Sequence, residues 1–188
     1  MELKFRDLTK DEIDCRVQSS GDMKDKQTLW ARVLLYKDAR VDMCLLDETV
    51  GAENWQREHK ELKGNIYCGV SLRFACDGGF YWATKWDCGA ESNTEKEKGE
   101  ASDSFKRACV NWGIGRELYT KIPIQVFGLP KNYKGAVDGT FEVEKIKIEN
   151  KEITALSLFF IRNGGQPIRC FVWTKEDGVK MQNYKEGV

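Results

Sequence analysis

Side chains for metal and acid–base chemistry are scarce in this sequence. It holds one histidine, His59, and no two of its seven cysteines (Cys15, Cys44, Cys68, Cys76, Cys88, Cys109 and Cys170) are separated by just two residues. A zinc cluster built from C-x-x-C pairs therefore lacks a ligand set. No G-x-S-x-G occurs, and a lone histidine cannot serve several triad designs. No G-x-x-x-x-G-K-[ST] is present to cradle a triphosphate. "GIGREL" offers G-x-G without a third glycine or a preceding strand, which argues against a dinucleotide site. No apolar run reaches the length of a membrane span, and "MELKFRDLTK" has no apolar signal region. A soluble protein of the cytoplasm is expected, without membrane contact. The odd cysteine count then reads as reduced thiols used as small hydrophobes. Net charge is also missing, with 30 basic and 30 acidic residues, so any basic surface must be local.

What is present suits a globular chain. The 188 residues, 41% of them hydrophobic, suffice for one domain with a real core, or a domain plus a small appendage. "LTKDEI" predicts a short helix running to about Val17, with Thr9 and Glu12 at capping-box spacing and Leu8 and Ile13 as a staple. "SSGDMKDKQ" reads as a polar loop and "LWARVLLY" as a strand. "DARVDMCLLDETVG" reads as a helix capped by Asp38 and stopped at Gly51. In "NIYCGVSLRFACDGGFYWATKWDC" the residues Ile66, Cys68, Val70, Leu72, Phe74 and Cys76 alternate. Beyond a turn at Asp77-Gly78-Gly79, so do Phe80, Trp82, Thr84, Trp86 and Cys88. The expectation is a hairpin with one apolar face and a polar face bearing Tyr67, Ser71, Arg73, Tyr81 and Lys85. "NWQREHKEL" can pair alongside as an edge-like strand.

"SNTEKEKGEASDSFKRACVNWG" predicts the main helix, with Ser92 and Glu95 at capping-box spacing and Gly113 and Gly115 as stops. A proline-bearing linker follows. "FEVEKIKIENKEITALSLFFI" and "PIRCFVW" then suggest a small three-stranded meander, and "TKEDGVKMQNYKEGV" a mobile tail. The implied division is 1–120 and 121–188.

On the main helix Lys98, Ser102 and Lys106 share one stripe and Gly99, Asp103 and Arg107 the next. The apolar stripe of Ala101, Phe105, Ala108, Cys109 and Trp112 runs beside them. Lys106 and Arg107 thus flank the buried side. Held there, they would suit a phosphate track; the plainer alternative is that they snorkel and pair with Asp103 or Glu100. Arg73 and Lys85 beside Tyr67 and Tyr81 would suit single-stranded nucleic acid, or be an ordinary solvated face. His59 reads as a surface or interface residue. Asp47, Glu48, Glu53 and Glu58 are acids that could hold magnesium, but acids near a helix end are commonly plain surface.

"VGAENWQREHKELKGNIYCGVSLRF" and "ESNTEKEKGEASDSFKRACVNWGIGRELY" together resemble the Rad-fifty-two superfamily of single-strand annealing proteins, and are similar to its bacteriophage Sak-type branch, across residues 5–120. Gly51 with Trp55, the aromatic hairpin and the Asp103…Lys106-Arg107-Ala108…Gly113 helix carry the likeness. The resemblance implies an α+β fold, an antiparallel sheet against the main helix, and rings or arcs of identical subunits. It implies a basic groove holding single-stranded DNA by its backbone, bases outward, with no nucleotide hydrolysed, no cofactor, no metal and no catalytic residue. Lys106 and Arg107 match the groove-lining pair and Arg16 a further groove arginine. A basic position three residues after the arginine is Val110 here, which would shift load to Lys98 or Arg116. The lysine of an outer site corresponds to Asn65, with Lys63 nearby. The implied function is ATP-independent annealing of complementary strands in phage recombination and repair, in the bacterial host cytoplasm. Single-stranded DNA, other copies of the chain and a single-strand-binding protein are the partners to expect. The alternatives are a small metal-dependent nuclease using the acids near Asp47 to Glu58, and an interaction module without nucleic acid.

Overall fold

The computed structural model describes residues 3–89 and 96–185, with the backbone alone for 96–98. The expected cap at Ser92 lies outside the described residues. The fold is α+β with antiparallel sheets, and the chain divides into two compact units, Met1–Asp7 with Asp38–Arg116, and Leu8–Lys37 with Glu117–Val188. Residues 8–37 thus belong with the C-terminal strands, and one sheet runs across the position 120 where a boundary was expected.

The first unit starts with helix α1, Ala39–Val50. Asp38 caps it by accepting from the Arg40 N–H at 2.8 Å, and Gly51 ends it at φ 89°. Three antiparallel strands follow in the order β3–β4–β5: β3 Trp55–Leu62, β4 Asn65–Cys76 and β5 Gly79–Cys88. Lys63 and Gly64 both take positive φ in the two-residue turn between β3 and β4, which matches the right-handed twist of the strands.

The second turn corrects the face assignment made from sequence. Its loop is Asp77-Gly78, two residues rather than three, so Cys76 lies opposite Gly79 and Phe74 opposite Tyr81. One residue of register moves every β5 side chain to the other face. One face therefore carries Cys68, Val70, Leu72 and Phe74 with Tyr81, Ala83, Lys85 and Asp87. The other carries Tyr67, Gly69, Ser71 and Arg73 with Phe80, Trp82, Thr84 and Trp86. Arg73 and Lys85 do not share a face, nor do Tyr67 and Tyr81. Helix α2, Lys96–Trp112, covers the first face. Phe105, Ala108 and Cys109 are fully buried with Val70 and Leu72. Burying Phe105 alone contributes about 1.5–3 kcal/mol. Its ring stacks against Trp55, and Trp112 stacks on Phe74 and donates Nε1–H to the Val70 carbonyl at 2.9 Å.

The second unit begins with a single 3-10 turn, Lys10–Glu12, not the helix expected to reach Val17. The Thr9–Glu12 box does form: the Glu12 carboxylate accepts from the Thr9 N–H and hydroxyl. Yet from Asp14 the chain is strand β1, Asp14–Asp22, paired with β2, Leu29–Tyr36. Pairing with the buried Leu29, Ala31 and Val33 strand wins over a weak local helix signal. The expected polar loop shrinks to residues 23–28.

The meander expected from sequence is present as β7 Gly139–Glu149, β8 Glu152–Arg162 and β9 Pro167–Thr174, but it is not a separate element. With β6, Gln125–Leu129, and β10, Gly178–Met181, it belongs to a seven-stranded sheet in the order β10–β9–β8–β7–β1–β2–β6. The expected mobile tail is likewise corrected through Lys185: Phe127 N–H donates to the Gln182 carbonyl and Tyr184 N–H to the Phe127 carbonyl, joining the two ends of the sheet. Tyr184 is buried edge-on against Phe160, in a core with Phe141, Leu158 and Phe171. Phe171 and Phe160 sit on a strand pair whose apolar residues alone signal the sheet, whereas the single Tyr184 gives little to read.

All seven cysteines are free. Cys68, Cys109 and Cys170 are buried, Cys15 and Cys88 half-buried, and Cys44 and Cys76 exposed, so only part of the set serves as core. Burial pushes the Cys15 and Cys170 thiols up to about 12 and Cys68 to about 11.

Candidate nucleic-acid interface

The C-terminal half of α2 gathers positive charge on a rigid base. Phe105, Ala108 and Cys109 fix the helix on the sheet, and Lys106 and Arg107 come next to them, Lys106 half-buried and Arg107 exposed. Arg107 Nε donates to Asp87 Oδ1 on β5 at 3.2 Å; the two side chains are 44% and 26% exposed. Asp87 also accepts from Asn111 Nδ2 at 3.2 Å and from the Cys88 N–H at 2.8 Å. The Asn111 carbonyl in turn takes two cations: Lys85 Nζ at 2.8 Å and Arg116 Nη2 at 3.0 Å. Arg116 Nε reaches the Val110 carbonyl at 3.0 Å, and Lys85 lies 4.3 Å from the Trp112 ring centroid.

The result is a linked cluster of Lys85, Arg107 and Arg116 around Asp87 and Asn111. Its physics is that of a helix C-terminus, where orphan carbonyls and the negative end of the macrodipole favour cations. The structure thus brings together Lys85, Arg107 and Arg116, which sequence spacing alone left scattered. It also gives Lys85 and Arg116 a capping duty. Glu100, offered as a partner for the cations, instead accepts the Ile66 N–H at 2.6 Å and is buried. Val110 is half-buried on the same helix. For Lys98 the helical backbone alone is described.

Two further expected residues are on other strands. Arg73 is on the opposite face of the sheet, 3.9 Å from the Phe80 centroid. Arg16 is on β1 in the second unit, 5.8 Å from the Tyr36 ring. Sequence reading missed three residues. Asp87 and Asn111 organise the cluster and carry no motif. Lys60 lies 4.6 Å from the Trp86 centroid, and the register of β3 would have flagged it. His59 is exposed, its Nε2 3.1 Å from the Ala101 carbonyl.

The acids named for magnesium have local partners. Asp47 accepts the Trp55 indole N–H at 2.6 Å, Glu48 pairs with Arg6, Glu58 with Lys60, and Glu53 accepts from Asn54. Among the described residues no three His, Cys, Asp or Glu side chains are placed to hold a metal ion, and no helix is long and apolar enough to cross a membrane.

The basic cluster on α2 lies within a stretch of sequence that matches a known family. The model of the Rad52/22 family double-strand break repair proteins matches residues 4–134. The chain belongs to this family. No individual curated protein matches it. Membership implies DNA strand annealing in recombination and repair, and the family binds DNA and forms oligomeric rings. In this Rad52/22 family member the matched span holds the whole basic cluster and Arg16, and ends before β7.

Proposed function

We propose that this Rad52/22 family protein binds single-stranded DNA and anneals complementary strands without ATP, as a ring or arc of identical subunits, with Lys106 and Arg107 contacting the phosphates. The observation that carries the reading is the cationic half of α2. Its charges stand on a helix packed against the sheet, and Asp87 on β5 holds Arg107 through a partly exposed pair. Such a pair contributes about 0–1 kcal/mol, so a phosphate can displace it. Neutralised phosphates release counterions whatever the base sequence, which leaves specificity to strand pairing. Repetition around an oligomer multiplies modest contacts. Lys85 and Arg116 add to the field of the cluster, Arg16 and Lys98 are further contacts, and Arg73 is a contact from the opposite face of the sheet. No turnover chemistry is assigned, and no cofactor or metal is required. The likeness of "EASDSFKRACVNWGIGRELY" to Sak-type proteins supports a bacteriophage origin, action in the host cytoplasm, and a single-strand-binding protein as working partner.

The test is annealing of two complementary labelled oligonucleotides without nucleotide or metal. The protein is expected to accelerate pairing, and Lys106→Ala with Arg107→Ala to abolish the acceleration while oligomer size stays unchanged. Wild-type annealing by the double variant would refute the assignment. Magnesium-dependent cleavage of the strands would replace the reading with a nuclease.

A further inference from the structure

The face of the three-stranded sheet away from α2 is unusual for a protein surface. Phe80 is 52% exposed, Trp82 38% and Trp86 36%. Cross-strand pairing places all three on this face with Arg73 and, from β3, Lys60. The cations interleave with the rings: Arg73 lies 3.9 Å from the Phe80 centroid and Lys60 4.6 Å from that of Trp86. Trp86 is seated against Gly69, where an added Cβ would lie 2.7 Å from the indole. Glycine there lets the ring lie down across β4. Beneath it, Ser71 and Thr84 hydroxyls bond at 2.8 Å, so the face is braced.

We infer that this face is a stacking platform for unpaired bases, a second single-strand site separate from the phosphate-binding cluster on α2; the inference rests on the single-stranded DNA reading above. Alternate residues on a strand lie about 7 Å apart, close to the spacing of successive nucleotides in an extended strand. Phe80 and Trp82 thus offer two neighbouring bases a ring each. Lys60 and Arg73 lie over one face of the Trp86 and Phe80 rings, from which each long side chain can turn to a phosphate as a base arrives. Aromatic faces with interleaved cations suit single strands of any sequence, since every base has a π-face. Charge also argues against a second copy docking here through the same face. Lys60 and Arg73 outweigh Glu58, which is itself paired to Lys60 at 3.1 Å, so two such faces would repel. The row ends at a cleft of about 670 Å³ lined by Lys4, Asn54, Arg73 and Phe80, which adds a further cation where the strand would leave the platform.

The experiment uses the full chain, an oligothymidylate, and an abasic oligodeoxyribose phosphate of equal length, with binding followed over a salt series and oligomer size by light scattering. Trp82→Ala and Phe80→Ala, both on exposed residues, are expected to weaken oligothymidylate binding about 5- to 150-fold each. They should leave abasic binding, salt slope, oligomer size and unfolding midpoint unchanged. Oligothymidylate should quench wild-type tryptophan fluorescence and abasic strand should not. Unchanged affinity in both variants overturns the platform. So does an equal loss on the abasic strand, and so does a smaller oligomer, which would make the face a subunit interface. If the wild type binds neither probe, the single-stranded DNA reading itself falls. If it binds both and only the platform variants are silent, that reading stands alone.

Discussion

Asp87 and Arg107 allow the phosphate-binding reading to be pushed in two directions. In the free protein Asp87 Oδ1 holds Arg107 Nε at 3.2 Å, with the side chains 26% and 44% exposed. A phosphate that takes Arg107 must break this pair and approach a carboxylate. Breaking this one pair costs about 1 kcal/mol at most, or roughly fivefold in affinity per protomer engaged. Asp87→Asn removes the charge and keeps an oxygen for the Asn111 amide or the Cys88 N–H. It is therefore expected to tighten single-strand binding up to about fivefold and leave the slope of log K against log salt unchanged. Arg107→Ala is expected to weaken binding and flatten that slope by about 0.7 per protomer contact. Fluorescence anisotropy of a labelled oligothymidylate, titrated from low to high salt, reads both quantities, and urea midpoints check folding. Looser binding by a well-folded Asp87→Asn variant, or an unaltered slope in Arg107→Ala, would show that Arg107 meets no phosphate.

Other predictions concern the frame that holds the site. Gly89→Ala would put a Cβ 2.2 Å from the Glu100 carbonyl oxygen on α2; the backbone must shift to admit it, so a loss of about 1–3 kcal/mol should appear in urea unfolding. Glu144 in the second unit receives both Arg169 donors, which hold its carboxyl below the ordinary 4.5. A depressed carboxylate contributes stability above its unfolded pKa and loses it as pH falls through the folded one. Glu144→Gln should therefore destabilise the protein at neutral pH, and the gap to wild type should close below about pH 4.5; a gap that widens in acid would contradict the pair's role. Alkylation of the native protein at neutral pH, followed by mass spectrometry, should modify Cys44 and Cys76 first and spare Cys68, Cys109 and Cys170; rapid labelling of Cys68 would contradict the packing of α2.

The elements that sequence made legible are those with two agreeing signals. Asp38 before an apolar stripe and Gly51 after it give α1 both ends. Alternation from Ile66 to Cys76 gives β4, and the Phe105–Trp112 stripe gives the buried side of α2. The first helix fails because its single signal, the Thr9–Glu12 box, also fits an isolated 3-10 turn, while the β1–β2 pairing that decides the matter is set by a strand beginning at Leu29. Lys106 and Arg107 are readable from spacing and likeness. Asp87 is not, because what makes it matter is a distance between β5 and α2.

The parity of one turn has the widest consequence. A three-residue loop after Cys76 would set Phe80, Trp82 and Trp86 against α2 and turn Lys85 and Asp87 to solvent on the far side. The two-residue loop does the reverse. Asp87 then meets Arg107, Lys85 reaches the Asn111 carbonyl, and the cationic end of the helix becomes a connected group instead of separate charges. The aromatic rings are left outside with Lys60 and Arg73. In the reading proposed above, the sheet separates two kinds of attraction for a polynucleotide. On the helix side, contacts are ionic and must fade as salt rises. On the outer side, ring stacking supplies the larger part and should persist in salt that silences the first. Residual salt-resistant binding in Arg107→Ala, removed by adding Trp82→Ala, is what this division requires.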